Sequence, residues 1–324
     1  MSVAFALATC APGFEAALKD DVARARPDYR LALSRPGVVT WKCEAPPLDG
    51  ELAPSPYART WARSLGKGAA ALVDAPAGVA RVVARDPDAD GAAAAVAAAI
   101  EELRATGRTV GEPALHEPAL LVVTSPGEPY LVAHYRRARW DGTVTPAEVP
   151  PEAPSRAYAK LEEAIAWAGL PVGAGQVAVE IGAAPGGAAY ALARRGVTVH
   201  AVDPGDLDPR VLAFRGPGGA QVHHLRETLA GVRWEQLPRA VDWLLVDVNL
   251  AAPVAVHGVA RFVPAWKRSL RGAVITLKMN DQAVRRTLPT LLHRLTTAGF
   301  AEVHAIHLPA NRAEVCAVAL RPPR

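Results

Sequence analysis

The residues best suited to chemistry in this chain are a glycine turn and a few charges at the ends of apolar runs. Val177-Ala-Val-Glu-Ile181 is apolar except for Glu180, and Gly182-Ala183-Ala184-Pro185-Gly186-Gly187 follows it. Ala188 to Arg195 then has helical composition and stops at Gly196. Strand, glycine turn and helix together bring small residues and free backbone N–H groups against a nucleotide-like ligand. By itself such a turn also merely joins a strand to a helix. Asp203, 21 residues after Gly182, closes the next apolar run, where an acid commonly holds a ribose diol. Asp247 and Lys278 end two further runs, Trp243-Leu-Leu-Val-Asp247 and Val274-Ile-Thr-Leu-Lys278. In a doubly wound sheet the strand ends open onto the ligand crevice, so both should face whatever is bound there.

These residues need a sheet to position them. Runs at Val177–Ile181, Val197–Asp203, Trp243–Val248, Ala273–Lys278, Glu302–Leu308 and Val315–Leu320 alternate with helical stretches near 186–195, 253–271 and 281–298. That alternation predicts a mostly parallel sheet with helices on both faces. The last two runs are too close for a helix between them, so they form a hairpin and make one strand antiparallel. A helix from Ser155 to about Ala168 precedes the first run, with Ser155 as its cap.

The earlier half reads differently. Val3–Ala8, a helix over Glu15–Ala25 and Val38–Cys43 make a small α+β unit. Residues 57–140 then give a β-α-β-β order, with an alanine-rich helix over Ala92–Ala105. Tyr57 to Arg63 interleaves aromatics with arginines, which suits stacked bases or ordinary packing equally. Proline-rich stretches at 45–56 and 141–154 read as linkers. The expected division is therefore 1–50, 55–140 and 151–324.

Composition narrows the classes. The 324 residues are 50% hydrophobic and 21% charged, enough to bury a full core. Residues 1–150 hold 16 basic and 18 acidic side chains, whereas 151–324 hold 20 and 14, so the positive balance lies in the second half. That balance suits a polyanionic partner. Cys10, Cys43 and Cys316 lie far apart and offer neither metal-ligand spacing nor an even disulfide set. No metal is expected. No apolar run approaches the ~18 residues of a membrane span, and Leu7–Cys10 makes a poor leader, so a cytoplasmic protein is expected.

The pattern G-x-x-P-G-G is not the dinucleotide G-x-G-x-x-G. It resembles the first motif of S-adenosyl-L-methionine-dependent methyltransferases of the FtsJ type. Lys160, Asp247, Lys278 and Glu314 resemble, in order and context, the Lys-Asp-Lys-Glu set of the FtsJ-type RNA ribose 2′-O-methyltransferases. Ala11-Pro-Gly-Phe-Glu15, Ala153 to Glu163, Thr276-Leu-Lys278 and Asn311-Arg-Ala-Glu314 are similar to the hallmarks of the bacterial 23S rRNA members, which carry ferredoxin-like and THUMP RNA-binding regions. The resemblance covers nearly the whole chain, most closely from 153 onward.

It implies a Rossmann-like methyltransferase sheet behind an α+β ferredoxin-like and THUMP-like region. It also implies S-adenosyl-L-methionine as cofactor and RNA as partner, 23S rRNA or a precursor, at a cytidine or another nucleotide; neither DNA nor a membrane is expected. Lys278 would be the general base. A positive Lys160 favours its neutral form, and Asp247 its charged form. The cofactor residues implied are Glu180, Gly182, Ala183, Pro185, Gly186, Gly187, Asp203 and Asp247. Three departures stand out: Glu180 replaces a usual Asp, Ala188 a frequent aromatic, and Arg226-Glu-Thr228 an Arg-Glu-Asp run. Glu227 is thus the candidate for the adenine contact. The rival readings are a non-catalytic RNA-binding or assembly factor, against which the intact tetrad argues, and a nicotinamide oxidoreductase, against which the missing G-x-G-x-x-G argues.

Overall fold

A computed structural model describes residues 3–322. The chain divides into two compact units between Thr143 and Val144.

The second unit contains strands β8 (Val177–Ile181), β9 (Thr198–Val202), β10 (Val222–Leu225), β11 (Trp243–Val246), β12 (Gly272–Lys278), β13 (Glu302–Ile306) and β14 (Glu314–Leu320). They form one sheet in the order β10-β9-β8-β11-β12-β14-β13. β8 to β12 pair in parallel, and β14 runs antiparallel to both β12 and β13. This is the expected doubly wound, Rossmann-like sheet with its closing hairpin. All four residues of β11 and the first six of β14 are buried, as apolar runs covered on both faces must be.

The helices are α4 (Ala157–Ala168), α5 (Gly187–Arg194), α6 (Pro209–Ala213), α7 (Ala252–Phe262) and α8 (Gln282–Thr297). α8 starts where Asp281 accepts the amide of Val284 at 2.8 Å, and it buries Leu288, Leu291 and Leu295 along one stripe. α4 begins two residues later than the sequence indicates. Its N-cap is Arg156, while Ser155 Oγ accepts the amide of Ala157 at 3.4 Å. Strand order reverses between β8 and β11, so the ligand crevice lies outside the ends of those two strands.

The first unit contains β1 (Ala4–Thr9), α1 (Glu15–Ala25), β2 (Arg30–Arg35), β3 (Val38–Cys43), β4 (Thr60–Lys67), α2 (Ala70–Val73), β5 (Val79–Ala84), α3 (Ala92–Ala105), β6 (Pro118–Ser125) and β7 (Glu128–Arg136). All seven strands share one sheet, ordered β2-β3-β1-β4-β7-β6-β5. β1 pairs with both β3 and β4, so the segments 1–50 and 55–140 meet in continuous backbone hydrogen bonding. The proline-rich stretch between them is packed: Ser55 Oγ donates to Asp21 at 2.7 Å and Arg26 donates to Glu51 at 3.0 Å. Tyr57 is buried against Phe14, and Trp61 against Tyr29 and Trp41, so the aromatics of the 57–63 stretch belong to the core. Cys10, Cys43 and Cys316 are free thiols in the interior, and burial pushes Cys10 and Cys316 up to about 12. No helix among the described residues is long and apolar enough to cross a membrane.

Candidate active site

Four charges converge at the crevice, each delivered by a different element. Lys160 comes from the first turn of α4, Asp247 from the residue after β11, Lys278 from the last position of β12 and Glu314 from the first position of β14. Antiparallel pairing sets Lys278 opposite Glu314, which is how the end of one strand meets the start of another. Lys160 Nζ lies 3.1 Å from Asp247 Oδ2 and 3.1 Å from Glu314 Oε2. Lys278 Nζ lies 2.5 Å from Glu314 Oε1 and 4.0 Å from Asp247 Oδ1. Cation and anion therefore alternate around a closed ring of zero net charge.

The ring is largely shielded from water, with side-chain exposures between 11% and 23%. Burial alone would raise the Glu314 carboxyl, but the hydrogen bond from Lys278 and the charge of Lys160 overcome it and hold the group at about 2. Glu314 is ionised at any working pH. It anchors both lysines.

The glycine turn sits beside the ring. Gly182 has φ +85°, and a Cβ there would stand 2.4 Å from the carbonyl oxygen of Asp247. Only glycine lets β8 leave the sheet so close to the strand end that carries Asp247. Asp203 Oδ2 accepts the amide of Ala184 at 3.0 Å, and Oδ1 accepts that of Gly205 at 2.7 Å, so this acid also braces the turn. Ala183 is buried, and Pro185 accepts the amide of Asp208 through its carbonyl. Gly186 and Gly187 start α5, and Gly187 packs against Ser155 so closely that a Cβ would meet Ser155 Oγ at 2.3 Å. Glu227 follows β10, at the strand end where Leu225 accepts the amide of Asp203; its carboxylate lies beside Gly231.

Glu180 occupies a different place. It is buried behind the ring, lining a cavity of about 30 Å³ together with Lys160, Asp247, Thr276 and Asn311. Burial, then the charges of Asp247 and Asp203, push its carboxyl well above the usual range, and Oε2 has no partner among the described residues. Its surroundings therefore disfavour the ionised form.

One more residue supports the site without having been singled out in the sequence. Glu163, one turn along α4 from Lys160, is buried and accepts two backbone amides, Ala147 at 3.1 Å and Ala310 at 2.8 Å. It ties both the stretch leading into α4 and the loop leading to Glu314 onto the helix that carries Lys160. Asn311 helps fix the same loop, accepting the amide of Leu308 at 3.0 Å. Spacing i, i+3 from Lys160 is the one signal that could have singled Glu163 out.

Residues 153–257, all within the second unit, match the model of the FtsJ-like methyltransferase family. Lys160, Asp247 and the glycine turn fall within the match, whereas Lys278 and Glu314 lie beyond it and join them through the sheet. Among curated relatives, the ribosomal RNA large subunit methyltransferase M of Sodalis glossinidius is 35% identical over 182 residues, 53% of this chain and 48% of that protein. That of Halorhodospira halophila is 35% identical over 192 residues, 57% and 52% of the two chains. The chain thus aligns with about half the length of the curated relatives it matches. The solved structure of TrmN from Thermus thermophilus covers 98% of this chain and 99% of its own, at a TM-score of 0.38 and 16% identity.

Proposed function

We propose that the chain is an S-adenosyl-L-methionine-dependent RNA ribose 2′-O-methyltransferase acting on a nucleotide of large-subunit (23S) ribosomal RNA. The observation that carries this reading is the alternating Lys-Asp-Lys-Glu ring at the crevice. The surroundings fit the cofactor: a backbone turn that a Cβ at Gly182 would fill, the start of α5, and Asp203 at the end of β9. Gly182, Gly186, Gly187, Ala183, Pro185 and Asp203 would hold it, with Glu227 toward the adenine and Asp247 next to the reacting end. When bound it supplies a methyl group already activated on a sulfonium.

What remains for the protein is alignment and proton removal. A ribose 2′-hydroxyl placed at the mouth of the ring meets Lys278 Nζ, which takes its proton from oxygen as the nucleophile forms. Glu314 and Asp247 hold Lys278 in position, and Lys160 occupies the other side of both carboxylates. That second cation keeps the two anions from acting on Lys278 alone.

Lys278→Ala should leave cofactor affinity, measured calorimetrically, nearly unchanged and lower turnover by about 10²–10⁴-fold. Lys278→Arg should fail equally, because guanidinium does not accept a proton at working pH. Lys160→Ala should move the rising limb of the pH–rate profile to higher pH. The product provides an independent check, since RNA methylated on a 2′-oxygen resists alkaline cleavage at that nucleotide. A methyl group found on a base, or a Lys278→Arg protein of normal activity, would refute the mechanism.

A further inference from the structure

The seven-stranded sheet of the first unit curls until its two edges approach one another. The turn between β2 and β3 reaches the end of β5, where a Cβ on Gly37 would lie 1.8 Å from the carbonyl oxygen of Arg85. This closure leaves a cavity of about 120 Å³ at the mouth of the curl, open to solvent. Arg35 from the end of β2, Lys67 from the end of β4 and Arg85 just past β5 line it, with Glu128 from the turn into β7. Val123 and Leu131 form an apolar floor.

Three cations here face one carboxylate. Arg85 Nη1 donates to Glu128 Oε2 at 3.2 Å. The Arg35 guanidinium donates only to the neighbouring carbonyl of Ser34, at 3.3 Å, and the Lys67 ammonium has no hydrogen-bond or ion-pair partner among the described residues. Asp86, next in the chain to Arg85, accepts the amide of Asp88 at 3.2 Å. A local positive excess is notable in this half of the chain, where acids outnumber bases by 18 to 16 over residues 1–150. An apolar floor beneath such charges concentrates their field on whatever enters. The other basic run of the unit is already committed: Arg136 donates to the carbonyl of His116, and Arg137 to those of Pro113 and Thr143.

We propose that this pocket binds a backbone phosphate of single-stranded RNA, with Arg35 and Lys67 gripping the phosphate, Arg85 fixing the rear wall, and the nucleotide's apolar face against Leu131. The assignment rests on the RNA-modifying function proposed above and names where the first unit takes hold of that RNA.

The test uses the full chain and a fluorescein-labelled single-stranded RNA of mixed sequence, about 12 nucleotides long, titrated by anisotropy at several salt concentrations. Arg35→Ala/Lys67→Ala should weaken binding about tenfold or more at low salt. It should also reduce the salt slope by roughly 0.7 for each phosphate that is no longer neutralised. Lys42→Ala/Arg104→Ala, which removes two exposed cations of the same unit outside the pocket, should leave binding within twofold. Unchanged thermal unfolding and S-adenosyl-L-methionine affinity in both variants would show that the folds are intact. If the unaltered chain binds RNA and the Arg35/Lys67 variant binds it equally well with the same slope, the pocket assignment is overturned while the RNA reading stands. If the unaltered chain binds no RNA at all, the functional reading itself falls. If the variant loses calorimetric binding of inorganic phosphate but keeps RNA affinity, the pocket takes a free anion and the RNA assignment is again overturned.

Discussion

At the scale of single residues, the ring explains why Glu314 matters beyond its place next to Lys278. Its carboxyl titrates at about 2 in the fold against 4.5 unconstrained, because the Lys278 hydrogen bond and the Lys160 charge outweigh burial. A lowered carboxyl contributes stability that is complete above about pH 4.5 and is lost as pH falls toward 2. The contribution is on the order of 3 kcal/mol. Glu314→Gln should therefore be less stable than the parent at pH 6, and should lose less further stability between pH 5 and about 3. Urea midpoints measured across that range check it, and parallel curves for the two proteins would show that Glu314 is not the group responsible. All four ring residues were legible in the sequence, because each lies at a strand end or in a motif. Glu163 was not. Its neighbour Glu162 has the same side chain, is half-buried and pairs with Arg195, so only the fold separates the two acids.

At the scale of elements, legibility followed burial. Central strands such as β8, β11 and β14 are continuous apolar runs and could be read directly. β2, β4 and β10 escaped for three reasons. β2 is exposed or half-exposed throughout, β4 carries Gly66 at a register shift against β7, and β10 is Val-His-His-Leu at the sheet edge. Their places are set by pairing partners distant in sequence, not by local pattern. The turn after β8 is under a tight local constraint. Gly182→Ala combines φ +85° with a Cβ 2.4 Å from the Asp247 carbonyl. It should cost about 2–4 kcal/mol and weaken cofactor binding. Gly173→Ala, at an ordinary φ with nothing within 4 Å of the added carbon, should be nearly neutral in both. Thermal unfolding and calorimetry of the two variants measure the contrast.

At the scale of the whole molecule, composition located the irregular stretches. Both proline-rich stretches are irregular, as proline dictates, yet both are tied down, the first by Asp21 and Arg26 and the second by Glu163. The boundary that matters falls between Thr143 and Val144, ahead of the expected start at 151. We propose that 1–143 and 144–324 fold independently, the first selecting RNA and the second binding cofactor. A fragment starting at 151 lacks the Ala147 amide and leaves one oxygen of buried Glu163 without that donor. It should be less stable than 144–324 by about 1–3 kcal/mol. Equal denaturant midpoints for the two fragments would place the true boundary after the proline-rich stretch.

The alternating ring also constrains how such a protein can change over generations. With two cations and two anions sharing a site that is at most 23% exposed, any single loss strands one charge among its former partners. Breaking a buried ion pair from one side costs roughly 3–5 kcal/mol, more than removing both partners together. Descendants that lose the proposed methyl transfer but keep the fold are therefore driven to shed these charges two at a time, one of each sign. Parity at positions 160, 247, 278 and 314 becomes a mark by which retired copies can be told from merely damaged ones.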